Sequence, residues 1–135
     1  MKIQILPLVT GAQKATGLTV IIDVFRAFSL EAYMYASGAK KVIPVKTVED
    51  ALALKKENPS YILVGERKGI KVEGFDYGNS PSEFVGVDLS GKTLIHTTSA
   101  GVLGLASAVN ASQIVTGALV NAKEYFPVLN NYFFP

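Results

Sequence analysis

The stretch LTVIIDV, residues 18–24, is a continuous apolar run rich in β-branched residues, and its first charged residue is Asp23. Such a run is typical of a strand that is buried on both faces, as in the parallel sheets of α/β proteins. It therefore predicts a strand at the centre of an α/β sheet, with an acidic side chain at its carboxyl end.

The residues that follow alternate between helix and strand patterns. Ser29 is a candidate N-cap for a helix that ends near Gly38. Thr47 and Asp50 form a capping box that begins a second helix. Further strand patterns are KVIPV (41–45), YILVG (61–65), KTLIHTT (92–98) and SQIVTGAL (112–119), and SAGVLGLASAV (99–109) is helical in pattern. This βαβαβ order predicts a parallel or mixed sheet with helices packed on it.

Composition limits the class of protein. The 135 residues suit a single domain, and 49% hydrophobic against 18% charged residues argues against disorder. A net charge of +2 without a Lys/Arg stripe predicts no nucleic-acid partner. There is no cysteine, no apolar run long enough for a membrane span, and Pro7 breaks the short apolar N-terminus. We therefore expect a cytoplasmic protein that does not enter membranes.

A phosphate-loop pattern occurs at residues 86–93, GVDLSGKT, which matches GxxxxGK[ST]. The mechanism of that motif needs a strand before the loop and a helix after it, so that backbone N–H groups point at the phosphates. Here β-branched residues follow Lys92, and they indicate a strand. We therefore interpret the pattern as a polar turn that enters a strand.

Two predicted strands end in an acid and an arginine. Asp23 and Arg26 follow the first strand, and Glu66 and Arg67 follow the third. Ligands of open α/β sheets bind at the carboxyl ends of strands, although a local ion pair would also explain each pair. Asp23 and Glu66 could share Mg²⁺, with Asp76 in the glycine-rich loop as a third oxygen donor.

The segment HTTSAG, residues 96–101, ends a strand and begins a helix. Its hydroxyls and free N–H groups could bind an anion, or Thr98 or Ser99 could simply cap the helix. We interpret His96, within the strand, as a buried residue that supports the site rather than as a general base. The chain contains no GxSxG, HExxH or strand-associated GxGxxG motif, so carboxylates, arginines and a helix N-terminus indicate a doubly anionic ligand with a divalent metal.

Three blocks in this order and at this spacing resemble the 2-phosphosulfolactate phosphatase family. They are IIDVFRAFS (21–29), GERKGIKVEGFDYGNSPSEF (65–84) and GKTLIHTTSAG (91–101). IPVKTVEDA (43–51) and IVTGALVNA (114–122) are also similar, so the resemblance covers residues 2–123. It implies an α/β/α layered fold and Mg²⁺-dependent hydrolysis of a phosphate ester of a small sulfonated hydroxy acid, within coenzyme M biosynthesis.

The resemblance also implies site residues. The catalytic set is Asp23, Arg26, Glu66 and Asp76, and of these the three acids are the metal ligands. The substrate-binding set is Arg67, Asn79, Ser80, Thr97, Thr98 and Ser99. In this interpretation metal and arginines neutralise the charge that develops on the phosphoryl oxygens.

The chain departs from the family at two places. TTSAGV (97–102) replaces the commoner TTNGT, which removes an amide and a hydroxyl. Family chains are longer, and the resemblance ends near Ala122, which predicts an incomplete domain with exposed apolar faces and homo-oligomerisation. The alternative to an enzyme is a non-catalytic remnant that binds an anion or a partner without turnover.

Overall fold

This computed structural model describes residues 2–124 and residue 127, and within them helices and strands follow one another in a mixed α/β order. Residues 122–124 are helical in addition to the elements named below. The helices are α1 (Leu8–Ala12), α2 (Ala27–Ala36), α3 (Val48–Glu57) and α4 (Gly101–Ser107). The strands are β1 (Gly17–Ile22), β2 (Lys41–Pro44), β3 (Ile62–Arg67), β4 (Ile70–Lys71), β5 (Thr93–Thr97) and β6 (Ala111–Gly117). Among these residues, no helix is long and apolar enough to cross a membrane.

Four of the strands form one mixed sheet in the order β2-β5-β3-β4. β5 lies at its centre and pairs in parallel with both β2 and β3. β4 adds an antiparallel edge by pairing Glu66 with Lys71 and Arg67 with Ile70. The predicted α/β class and mixed sheet are therefore confirmed.

Helices cover both faces of this sheet. Successive strand residues point to opposite faces, so Leu63 and Val64 belong to different layers. The members of one layer are Leu30, Met34, Val42, Val64, Phe84, Leu89 and Leu94, which places α2 on that face. The members of the other are Ala51, Leu63, Phe75 and Ile95, which places α3 on the opposite face. The layered α/β/α arrangement is confirmed around this sheet.

The strand that contains residues 18–22 lies outside that sheet. β1 pairs in parallel with β6, and the two form a separate two-stranded sheet. One side of it packs on α2 and α4 through Phe28 and Val102. β1 also lines a groove of about 1300 Å³, together with residues 2–9 and parts of α1 and α4. The expectation that β1 is buried on both faces is therefore wrong, because none of its residues is fully buried.

Local hydrogen bonds decide where the helices begin. Thr47 caps α3 as predicted, since its hydroxyl accepts the Asp50 N–H at 3.0 Å. α2 begins at Ala27 with Arg26 as its N-cap residue, three residues before the expected N-cap at Ser29. Ser29 lies inside this helix, and its hydroxyl donates to the Val24 carbonyl at 2.7 Å instead of capping. Gly38 adopts a φ of 94° just after α2, the left-handed conformation expected of a helix-terminating glycine.

The glycine-rich region between β3 and β5 has more structure than its pattern indicates. It contains β4 and a 3₁₀ turn at Pro81–Phe84, and Tyr77 forms an isolated bridge with Val64. The GVDLSGKT segment enters β5 directly at Thr93, so its interpretation as a turn before a strand is confirmed. The expected irregular ending at residues 127–135 lies outside the described residues except for residue 127.

Candidate functional site

A cavity of about 240 Å³ lies where the carboxyl ends of β1, β3 and β5 meet. It is lined by Asp23, Phe25, Arg26, Glu66, Lys68, Gly69, Asn79, Thr98, Ser99 and Ala100. Six of the ten residues predicted from the sequence therefore line one cavity. Parallel pairing explains part of this arrangement, because β3 and β5 are neighbours in one sheet and the residues that follow them emerge at the same edge. Asp23, Phe25 and Arg26 follow β1 of the other sheet, so they reach the cavity through the packing of the two sheets.

Glu66 is held by the turn that follows β5. Its Oε1 accepts the Ser99 N–H at 2.6 Å, and its Oε2 accepts the Gly69 N–H at 2.6 Å and the Ser99 hydroxyl at 3.3 Å. Burial acts to raise the pKa of this carboxyl, but these hydrogen bonds and the nearby Arg67 charge lower it below 4.5. Glu66 is therefore ionised at neutral pH.

Asp23 also lines the cavity, but its negative charge is less favourable there than that of Glu66. Burial raises its pKa, the negative charge of Glu66 adds to that rise, and the nearby amides of Ala27, Gly101 and Phe25 oppose it. The carboxylate lies so close to Gly101 that a Cβ there would overlap Asp23 Oδ2. The absence of a side chain at residue 101 therefore allows the two acids to face the same cavity.

The turn before α4 binds the protein's own carboxylates. The Ser99 N–H donates to Glu66, and the Gly101 amide lies beside Asp23. Thr98 Oγ1 accepts the Val102 N–H at 3.0 Å. The Ser99 N–H is therefore already paired within the protein, and an external anion at this turn stays a prediction. The N-cap residue of α4 is Ala100 rather than Thr98 or Ser99, although the Thr98 hydroxyl accepts an N–H of the first turn.

Arg67 and Thr97 bind each other outside the cavity lining. Arg67 Nη2 donates to Thr97 Oγ1 at 2.8 Å and to the Lys46 carbonyl at 3.3 Å, while Nη1 donates to the Glu66 carbonyl at 2.7 Å. These bonds connect the ends of β2, β3 and β5. In place of the predicted substrate contact, Arg67 and Thr97 hold the strand ends that carry the site.

Asp76 and Ser80 also lie away from the cavity lining, which corrects their predicted roles. Asp76 Oδ2 accepts the Leu63 N–H at 2.7 Å and lies 3.8 Å from Lys55 Nζ. This position is at the start of β3, whereas Glu66 lies near its end. The Ser80 hydroxyl pairs with Ser82 Oγ at 2.9 Å. The glycine-rich loop crosses the length of β3, so only part of it reaches the site.

Asn79 is the residue of that loop that lines the cavity. It is buried, and its Oδ1 lies 3.3 Å from His96 Nε2. Burial lowers the pKa of His96 to about 4 against the opposing effect of Glu66, so the ring is neutral at physiological pH. The position of His96 agrees with its interpretation as a buried residue beside the site.

Four cavity residues were missed by the sequence analysis: Phe25, Lys68, Gly69 and Ala100. Each lies within three residues of a predicted site residue in the sequence, but none carries a motif of its own. Lys68 adopts a φ of 53° and is anchored through its N–H to Ser99 Oγ at 3.1 Å. This backbone conformation places a second cation, beside Arg26, at the cavity.

The donor set fits a magnesium ion in part. Mg²⁺ prefers oxygen ligands and is commonly held by one or two carboxylates, waters and substrate phosphates. Asp23 and Glu66 supply two carboxylates at one cavity. Asp76, the third predicted ligand, lies at the opposite end of β3, and within residues 2–124 and residue 127 no group of three potential metal ligands forms.

Comparison with known proteins gives a consistent family match. The family model for 2-phosphosulpholactate phosphatase matches residues 5–132. The chain is 40% identical over 106 residues to the probable 2-phosphosulfolactate phosphatase of Bacillus subtilis (strain 168), a match that covers 78% of this chain and 46% of that protein. It is 45% identical over 114 residues to the protein of that name from Carboxydothermus hydrogenoformans, covering 82% and 47%. The corresponding protein of Clostridium tetani is 46% identical over 105 residues, with 77% and 45% covered. The chain spans about half the length of the curated relatives it matches.

Proposed function

Because the chain belongs to the 2-phosphosulfolactate phosphatase family, we propose that it acts in Mg²⁺-dependent hydrolysis of the phosphate ester of a small anionic hydroxy acid. The proposed substrate is a sulfonated or carboxylated ester such as 2-phosphosulfolactate. With 2-phosphosulfolactate as the substrate, the reaction would belong to coenzyme M biosynthesis. The observation that carries the proposal is a cavity whose lining includes two acidic residues, Asp23 and Glu66, and two basic residues, Arg26 and Lys68.

The proposed role of each group follows from its charge. Asp23 and Glu66 would hold Mg²⁺, which when bound supplies positive charge to the phosphoryl oxygens. Arg26 presents a planar fork that suits two oxygens of one phosphate or sulfonate group, and Lys68 adds a point charge. In hydrolysis a water oxygen bonds to phosphorus while the bond from phosphorus to the ester oxygen breaks. The chain's contribution is to position the ester and to neutralise its charge.

Phosphate release from a panel of esters tests this proposal. The panel contains 2-phosphosulfolactate, phosphorylated lactate and glycolate, and p-nitrophenyl phosphate as an ester without a second acid group. We expect release from the acidic esters with Mg²⁺, a loss of about 10²-fold or more after chelation, and recovery when Mg²⁺ is restored in excess. A chain that is folded by circular dichroism but releases phosphate from none of the esters contradicts the proposal.

The exposed apolar groove supports the second candidate, a chain that binds an anion or a partner without turnover. Ile3, Ile5, Leu8 and Phe25 line this groove and are mostly exposed. Monomeric proteins rarely expose contiguous apolar surface of this kind unless a partner covers it. Phosphate or sulfonate binding measured by calorimetry, without release from any ester, would favour this candidate over the enzyme.

We also propose that the chain is a cytoplasmic homo-oligomer. The groove is apolar, and within the described residues β1 and β6 pair only with each other, which leaves an open edge on each. Light scattering is expected to give a multiple of the 14.4 kDa chain mass. Ile5, which is 92% exposed in the groove, supplies the test variant Ile5→Lys, expected to shift the chain towards monomer. Ile70→Lys is the matched control, because Ile70 is 74% exposed on β4 and does not line the groove. If Ile5→Lys has the same mass in solution as the wild-type chain, the groove is not the interface between copies.

A further inference from the structure

His96 is the buried titratable group to which the proposed reaction assigns no role. It is the single histidine of the sequence, and its side chain is 1% exposed at the centre of the mixed sheet. A buried imidazole needs a hydrogen-bond partner, since an unpaired buried polar group is costly. The partner is Asn79 Oδ1, at 3.3 Å from His96 Nε2.

We propose that His96 is a positioning residue that donates its Nε2–H to Asn79 Oδ1 and so turns the Asn79 amino group towards the cavity, where it binds an anionic oxygen of the ligand. The inference rests on the proposed function, because it specifies what Asn79 does in the same cavity. It assigns Asn79 to the anion, rather than to the metal.

Imidazole and amide groups each present distinct donor and acceptor atoms. A neutral imidazole carries hydrogen on one ring nitrogen, and an amide presents an acceptor on one side and two donors on the other. Burial keeps the ring neutral. If Nε2–H donates to Oδ1, the remaining face of the Asn79 amide consists of N–H donors. The reverse arrangement, with the amide donating to a bare Nε2, would instead present Oδ1 to the cavity.

The orientation of the Asn79 amide determines which of its atoms a ligand in the cavity would meet. Asn79 lines the cavity together with Arg26 and Lys68, yet it is only 8% exposed, so few alternative partners are within reach. With the amino group inward, Asn79 adds a neutral donor beside two cations, and all three suit the oxygens of a phosphate or sulfonate. With the oxygen inward, it would add a third oxygen ligand to Asp23 and Glu66.

Nitrogen NMR of the wild-type chain gives the first test, and the single histidine makes the signal unambiguous. At neutral pH we expect the hydrogen on Nε2 and a bare Nδ1. A ring that carries its hydrogen on Nδ1 overturns the inference. This readout needs no activity, so a chain that hydrolyses no ester but shows the Nε2-protonated ring contradicts the proposed function and supports the positioning role.

A double-mutant cycle with inorganic phosphate as the probe gives the second test. His96→Phe removes the donor but keeps a planar ring, and its phosphate affinity is expected to fall by about tenfold, the effect of one hydrogen bond to a charged group. In the Asn79→Ala background the same change is expected to have no further effect on affinity, since His96 acts through Asn79. His96→Gln, which retains an N–H donor, is expected to recover part of the affinity.

The cycle separates positioning from a structural role. An equal loss of phosphate affinity from His96→Phe in both backgrounds overturns the inference. So does an unchanged affinity in a folded His96→Phe chain. If His96→Phe does not fold, two other measurements test the inference: the tautomer of His96 in the wild-type chain and the phosphate affinity of His96→Gln. A His96→Gln chain that binds phosphate no better than Asn79→Ala also overturns the inference.

Discussion

The variant Asp23→Asn is expected to release phosphate about 10²–10³-fold more slowly than the wild-type chain, the usual effect of removing one electrostatic contributor to a transition state. Asparagine has nearly the shape of aspartate but lacks its negative charge, so it is a poor ligand for Mg²⁺. Stability is expected to be unchanged or slightly higher. Burial raises the pKa of Asp23, which means that its charge is unfavourable in the folded chain.

Asp50→Asn is the matched control for this prediction. Asp50 is an exposed aspartate in the first turn of α3 and does not line the cavity, so its replacement should leave the rate of phosphate release unchanged.

Gly101→Ala tests the same site without changing Asp23 itself. The added Cβ would overlap Asp23 Oδ2 and so displace the Asp23 carboxylate. Gly101→Ala is therefore expected to slow release as well. Wild-type rates in a folded Asp23→Asn chain would exclude Asp23 from the reaction.

The variant Glu66→Gln is expected to lose stability as well as activity. Glu66 accepts hydrogen bonds from the Ser99 N–H, the Gly69 N–H and the Ser99 hydroxyl. A glutamine amide would place an amino group against one of these N–H donors, whichever way it is turned. We expect a loss of about 1.5–3 kcal/mol in the free energy of unfolding, the range for hydrogen bonds to a charged group. Urea unfolding without Mg²⁺ measures it.

The effect of Glu66→Gln should depend on pH in a direction that identifies its cause. The folded-state pKa of Glu66 is lowered, so its carboxylate contributes stability that is fully present above 4.5 and is lost as pH falls through the lowered value. Glutamine does not titrate, and the stability difference between wild type and variant should therefore shrink below pH 4.5. Glu57→Gln, at the exposed end of α3, is the control. A difference that stays constant with pH would exclude the charge as its cause.

Much of the fold could be predicted because its signals are local. The capping hydroxyl of Thr47, the glycine after α2 and the β-branched runs act within a few residues, and each is found where its pattern places it. Ser29 shows where local reasoning fails. Its hydroxyl donates to the Val24 carbonyl at 2.7 Å. This acceptor is within reach because the chain before α2 turns back towards the helix.

The site could be predicted less completely. Asp23, Arg26 and Glu66 lie at strand ends, which is where ligands of α/β sheets bind. However, β1 and β3 belong to different sheets, so strand pairing alone does not bring these residues together. Arg67 and Asp76 carry the same kinds of functional group, yet Arg67 binds carbonyls and Thr97, and Asp76 binds the opposite end of β3. The residues that line the cavity and those that only support it are of the same chemical types and come from the same motifs. Only the direction of each side chain in the folded chain distinguishes the two groups.

LTVIIDV shows where the two kinds of information divide. The amino-acid sequence by itself determined that residues 18–22 form a strand, that Asp23 follows its end and that helices alternate with the strands, because backbone propensity and side-chain period act over short distances. Only the tertiary structure decided that this strand pairs with β6 in a sheet of its own, and that Asp23 meets Glu66 across the space that Gly101 leaves open. Those outcomes depend on contacts between residues far apart in the chain, whose geometry no local pattern contains.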